Sequence, residues 1–247
     1  MPEIRSRNAV ESALPSLLIA PNTTKSSALH KVMYTGPLSP WQTFEASVRA
    51  SMLIKWSSAV VDYQLRDRDL RAEEVYVADE TGVQGRFDQS VGQVLGSVFR
   101  AQGVNIRFAD FKSAGTGYTK VPDVALVSQN PPLPLKAVGE LKVPWVPEHA
   151  MEFRFFDENL FRRTIGQVVE YMVDQGMPYA FHSTYEETIM LRQVMVNNVW
   201  TIQYSPAIDS DAIDISTKQC FWYLASVAAA AARIYPPQHK DQLFKFW

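Results

Sequence analysis

Apolar residues recur three and four positions apart along some stretches of this chain and crowd into short runs along others, and the switches between these patterns mark its elements. From Trp41, the spacing of Phe44, Val48, Met52 and Ile54, continued over 59–63, predicts an amphipathic helix ended by the charged run Arg66-Asp67-Arg68-Asp69. A second helix is expected from Asp79 or Glu80 to about Ala101, because Val83, Phe87, Val91, Val94, Leu95 and Val98 follow helical steps and Gly103 supplies a stop. Three strands come next, over 105–111, 121–127 and 136–143, with Gly115-Thr116-Gly117 and Pro131-Pro132-Leu133-Pro134 as the turns between them. A helix over 158–174 carries Leu160, Phe161, Ile165, Val168, Val169 and Met172 on its apolar face and ends before Gly176 and Pro178. Strands over 179–184, 188–195 and 199–204 and a last, alanine-rich helix over 217–234 complete the pattern.

Residues 1–40 hold Pro2, Pro15, Pro21, Pro37 and Pro40 among Ser, Thr and Asn, and are read as an arm laid over a single domain spanning 41–247. The order helix, three strands, helix, strand predicts an α/β or α+β layer fold, a mixed sheet flanked by helices.

Composition narrows the function classes. With 247 residues, 47% of them apolar and 20% charged, the chain can bury a core, which excludes disorder along its whole length. A net charge of -2 excludes coating of nucleic acid by bulk electrostatics and leaves room only for a local basic cleft. Cys220 is the sole cysteine, so neither an internal disulfide nor a cysteine zinc cage can form, and a reducing, intracellular setting, cytoplasmic or nuclear, is expected. The apolar runs 13–20 and 227–232 fall short of the roughly 18 residues a membrane span needs. Arg5 and Arg7 before the first run look like a secretory leader, but Glu11 and Pro15 interrupt it. His30, His149, His182 and His239 are scattered without a His-x-x-x-His pair, and His182 reads as a core or edge histidine. No Gly-x-Ser-x-Gly elbow and no phosphate-binding loop is present.

The chemistry concentrates in two neighbouring strands. Alternation over 136–143 puts Val138, Glu140 and Lys142 on one face and Ala137, Gly139 and Leu141 on the other. Asp123 is the lone charge in its own apolar strand and follows Pro122, which has no amide to give to a ladder. An antiparallel hairpin about a turn centred between Pro131 and Pro132 sets Asp123 opposite Glu140, with Cβ atoms about 5 Å apart. Two carboxylates that close repel, and one pKa rises unless a divalent cation lies between them. Carboxylate oxygens are the hard ligands of Mg²⁺, and Lys142 stands ready to orient or help deprotonate a water and to offset charge on a phosphate.

Pro122-Asp123 followed by Glu140-Leu141-Lys142 resembles the PD-(D/E)XK nuclease superfamily, whose motif is a Pro-Asp on one strand and an acidic-x-Lys on the next. Gln167-Val168-Val169-Glu170-Tyr171 is similar to the Gln-x-x-x-Tyr motif of its RecB-like branch, and Glu80 sits where members often carry a helical acidic residue. The stretches Val138 to Trp145 and Tyr179 to Glu186 look like the fungal PD-(D/E)XK nuclease-like group. The match covers about 79–204.

That resemblance implies a restriction-endonuclease-like αβββαβ core and a Mg²⁺- or Mn²⁺-dependent nuclease. It implies Asp123, Glu140, Glu80 and the Leu141 carbonyl as metal ligands, Lys142 as the catalytic lysine, and Gln167 and Tyr171 as supports. Gln167 and Tyr171 are in any case one turn apart and share a helix face. DNA is the expected partner ahead of RNA, with Arg154, Arg162 and Arg163 placed to meet phosphates and Trp145 to stack on a base. The same arginines also read as surface partners of Glu152, Asp157 and Glu158. Members of the superfamily have also kept the fold and lost cleavage, so a silent module binding nucleic acid or a protein, in an effector, toxin or immunity role, is the alternative. Oligomeric state stays open, a homodimer included.

Overall fold

In a computed structural model, which describes residues 3–26, 31–63, 74–151 and 155–247, the N-terminal segment supplies β1 (Glu3–Arg5), α1 (Ser6–Glu11), β2 (Val32–Tyr34) and β3 (Leu38–Pro40), followed by α2 (Phe44–Ser51) and β4 (Val60–Tyr63). Next come α3 (Glu80–Phe87) and α4 (Val94–Gln102), joined through a π-helical turn at Asp88–Gln93, and then β5 (Arg107–Ala109), β6 (Val124–Val127) and β7 (Leu135–Leu141). The remainder is α5 (Glu158–Thr164), α6 (Gly166–Gln175), β8 (Tyr179–Ser183), β9 (Glu187–Val196), β10 (Val199–Tyr204), β11 (Ile208–Asp209), α7 (Thr217–Ala230), α8 (Lys240–Leu243) and β12 (Phe244–Phe246).

Eight strands form one mixed sheet in the order β3-β10-β9-β8-β7-β6-β5, with β11 added on β9. The β7–β8 and β10–β3 pairs are parallel and the others antiparallel. Helices cover both faces, which is why the central strands read as apolar runs. Alternate side chains Val124, Leu126, Ala137, Leu141 and Phe181 join one core with Val10, Phe44, Val83, Leu95 and Phe221 from the helices on that side. The intervening Ala125, Val138, Ala180 and Ile189 join a second core with Phe161, Val168, Val169 and Met172 of α5 and α6. In the first core Phe87 stacks on Phe181 at 5.5 Å, and Phe221 meets both rings edge-on at 5.4 and 4.7 Å. No helix among the described residues is long and apolar enough to cross a membrane.

The expected helix from Trp41 to residue 63 ends at Ser51. Its second half is instead β4, where the β-branched pair Val60 and Val61 runs antiparallel to β1. The arm therefore contributes strands of its own, one of them, β3, at the edge of the main sheet. The expected helix over 158–174 divides at Ile165. There Gly166 passes so close to β2 that an added Cβ would stand 2.5 Å from the Val32 carbonyl oxygen. The first strand of the hairpin region shortens to Arg107–Ala109, with Phe111–Ala114 forming a 3₁₀ turn, and the last helix stops at Ala230. The run from Arg66 to Asp69, together with His30, Glu152 and Arg154, lies outside the described residues.

Candidate functional site

β6 and β7 pair in the register the proline turn implies: Val124 with Gly139, Ala125 with Val138, Leu126 with Ala137. Asp123 sits one residue before the first rung, on the Glu140 side of the hairpin end. Having left the ladder, it accepts the Leu141 amide with its side chain, Oδ2 to N at 2.8 Å. Gln84 of α3 fixes the same residue from the other side by donating Nε2 to the Asp123 carbonyl at 2.8 Å.

Glu140 lies on the face of Val138 that looks toward α6, and Lys142 follows the end of β7 with its amide bonded to the Ser183 carbonyl at 2.9 Å. The Lys142 ammonium donates to Glu140 Oε1 at 2.6 Å and to Glu80 Oε2 at 3.2 Å. Glu80 opens α3, which starts there because Asp79 caps it by accepting the Gly82 amide at 2.8 Å. Glu80 and Gln84, one turn apart, thus present the same helix face to the hairpin. Glu140 and Lys142 are each 2% exposed whereas the Glu80 side chain is 37% exposed, so the cluster meets solvent on the Glu80 side.

Three carboxyl groups surround one ammonium, and the charges do not cancel. Burial alone would lower Lys142, but Glu140 and Glu80 outweigh it and hold the ammonium above the usual lysine range. Burial is the main cause that raises Asp123, opposed by the Leu141 amide. For Glu140, the most enclosed of the three, burial outweighs the help from Lys142, Asp123 adds repulsion, and the carboxyl is pushed up to about 8. A carboxyl must lose its proton to ligate a cation, so protons compete below that value. If Mg²⁺ or Mn²⁺ is ligated by Glu140, its binding at pH 7 is expected to release about one proton and to tighten as the pH climbs to about 8, levelling above it. Calorimetry in buffers of different ionisation heat reads this directly, and a proton count near zero would remove Glu140 from the ligand set.

Gln167 donates Nε2 to the Tyr171 hydroxyl at 2.7 Å, and both side chains are buried on α6. Burial and then the Glu140 charge hold that hydroxyl above the usual tyrosine range, and α6, which carries the pair, packs against β7. The loop leading into Asp123 is tied to the same helix, since Tyr118 donates to Asp174 Oδ2 at 2.6 Å and Lys120 pairs with the buried Glu170. The structure thereby brings together Glu80, Asp123, Glu140, Leu141 and Lys142, with Tyr171 and, through it, Gln167.

The residues expected to meet nucleic acid are engaged elsewhere. Arg162 bonds Glu158 at 2.8 Å and the Gly36 carbonyl at 2.7 Å, Arg163 lies over the Trp247 ring at 4.8 Å, and Trp145 donates its indole N–H to the Thr24 carbonyl at 3.0 Å.

Gln84, His149 and His182 belong to this neighbourhood and do not stand out in the sequence. His149 Nδ1 lies 2.9 Å from the Val143 carbonyl oxygen. His182 is the β8 register partner of Glu140, fully buried, and depressed to about 3 by burial and then by the Lys142 charge, so its imidazole is neutral. Alternation within its own strand assigns His182 to a buried face, but only the parallel β7–β8 register sets it beside Glu140, and that register has no local signal.

Among the described residues no group of three or more His, Cys, Asp and Glu side chains is already disposed to hold a metal ion. The donor chemistry still fits a hard divalent cation on one observation: Glu140 Oε2 is buried and has no hydrogen-bond partner among the described residues, while Lys142 occupies Oε1. No family model, no curated protein and no solved structure matches the chain.

Proposed function

We propose that this protein is a divalent-cation-dependent nuclease of PD-(D/E)XK type that hydrolyses phosphodiester bonds, with DNA the first substrate to test. The observation that carries the reading is the gathering of Glu80, Asp123, Glu140 and Lys142 at one hairpin end, with a buried carboxylate oxygen left bare. The element order around it supports the same reading: the helical pair α3 and α4, antiparallel β5, β6 and β7, the helical pair α5 and α6, then β8 parallel to β7 follow an αβββαβ plan.

Asp123 and Glu140 would hold the cation, with Glu80 and the Leu141 carbonyl as further oxygens. Bound there, a Mg²⁺ or Mn²⁺ ion supplies Lewis acidity toward a phosphoryl oxygen and a more acidic water. Lys142 is held as an ammonium by its two carboxylate partners, so its part is to orient the attacking water and to offset charge growing on the phosphate. Tyr171 and Gln167 wall the Glu140 side, and the scissile phosphate enters past the half-exposed Glu80.

Asp123→Asn keeps an oxygen to accept the Leu141 amide while removing the charge. Loss of an outer-shell partner typically weakens a metal site by 10–100-fold. This direct ligand is therefore expected to cost more than about a hundredfold in cation-dependent cleavage, with an unchanged melting curve. Cleavage at the wild-type rate in Asp123→Asn protein would remove the hairpin from the chemistry.

A second reading has its own support. The ion pairs of Lys142 with Glu140 and Glu80 satisfy much of the cluster internally, and among the described residues no three ligands are preassembled, as suits a nuclease-like module that binds nucleic acid or protein without cutting. Titration with Mg²⁺ and Mn²⁺ separates the two, because only the enzyme needs the cation.

A further inference from the structure

An all-oxygen cation site leaves one neighbour unaccounted for. His182 lies directly alongside Glu140 in the parallel β7–β8 ladder, and side chains at paired positions of a parallel sheet leave on the same face. It is 0% exposed, and neither ring nitrogen has a hydrogen-bond partner among the described residues. The same is true of Glu140 Oε2, while Oε1 is taken by Lys142. Buried polar atoms are bonded in the great majority of cases, so unpartnered groups on adjacent strands call for a shared explanation. A buried imidazole lone pair beside a buried carboxylate oxygen is the donor pair of a mixed nitrogen and oxygen metal site.

Resting on the nuclease reading above, we propose that His182 gives a ring nitrogen to the cation held by Glu140 and Asp123. The site then favours Mn²⁺ or a later first-row divalent ion over Mg²⁺. Mg²⁺ takes oxygen ligands and sheds its waters reluctantly, whereas imidazole suits the transition metals. His149, whose Nδ1 is set against the Val143 carbonyl, is the control histidine.

The test adds Mn²⁺ to the full chain and records electron spin-echo modulation on natural-abundance protein and on protein labelled with ¹⁵N-histidine. The expected result is a ¹⁴N modulation that the label replaces, that His182→Gln removes and that His149→Gln keeps. Calorimetry should show Mn²⁺ binding at least about tenfold weaker in His182→Gln, with Mg²⁺ binding much less affected. Because the labelled wild type carries the main readout, the test stands even if the buried substitution unfolds the chain. Mn²⁺ bound without histidine modulation overturns the proposal and leaves an oxygen-ligated nuclease site in place. Modulation lost in His149→Gln and kept in His182→Gln also overturns it. No Mn²⁺ binding by wild-type protein at millimolar concentration overturns both this proposal and the nuclease reading.

Discussion

At pH 9, where Glu140 is ionised, Lys142→Ala is expected to lower the unfolding free energy by about 3–5 kcal/mol, because removing one partner strands a buried charge, and on the nuclease reading it should abolish cleavage. Glu140 is 2% exposed and touches the Lys142 ammonium at 2.6 Å, so little water is available to replace it. The loss should depend on pH with a definite sign. Glu140 already holds its proton up to about 8 in the native protein, and without Lys142 it holds it higher still. In the unfolded chain it ionises near the ordinary glutamate value. The variant therefore pays little at pH 5 and most above pH 8, where the native state must either bury a bare carboxylate or keep a proton that the unfolded state has released. Glu140→Gln combined with Lys142→Ala should recover most of the stability and none of the activity. Denaturant unfolding at pH 5 and pH 9 checks both statements, and a loss below about 1 kcal/mol at pH 9, the scale of an exposed pair, would show that the two groups are not energetically coupled.

Gly139→Ala is expected to be nearly as damaging without touching any charge. An added Cβ would stand 2.0 Å from Phe181 Cζ, inside any allowed contact. The ring cannot swing away, since Phe87 stacks on it at 5.5 Å and Phe221 abuts it at 4.7 Å. The backbone cannot yield either, with β7 bonded to β6 on one side and β8 on the other. Overpacking of this kind costs about 3 kcal/mol. Since Glu140 lies on that strand and Lys142 just beyond its end, the cluster should loosen with it. Phe181→Leu in the same chain should return part of the stability, and a double-mutant cycle that finds the two changes additive would disprove the clash.

How much of this could be read in advance follows the range of the interactions. The helix start at Asp79 or Glu80 and the stops at Gly103 and Gly176 rest on local signals and are legible in the sequence. The β6–β7 register, too, follows from the turn at Pro131 and Pro132, which is why the Asp123–Glu140 juxtaposition is legible from spacing alone. What stayed hidden depends on partners far along the chain. Val60–Tyr63 becomes a strand because Glu3–Arg5 lies beside it, and 158–174 divides next to Gly166, where β2 passes. Gln84 reaches a carbonyl 39 positions away. His182 gains its meaning only from the β7–β8 register. Arg162 and Trp145 showed free charge and a free ring as letters, and in the fold both are spent on backbone carbonyls.

The placement of β3 has a consequence for biosynthesis. Its Ser39 meets Gln203 across 164 positions of chain, so the edge strand has no partner until β10 leaves the ribosome. At about 5–20 residues per second that wait lasts roughly ten to thirty seconds. Throughout it, Trp41, Phe44 and Val48 of the nascent polypeptide have no finished core to enter. Yield in a recombinant host is then expected to respond to chaperone supply and translation speed during that interval.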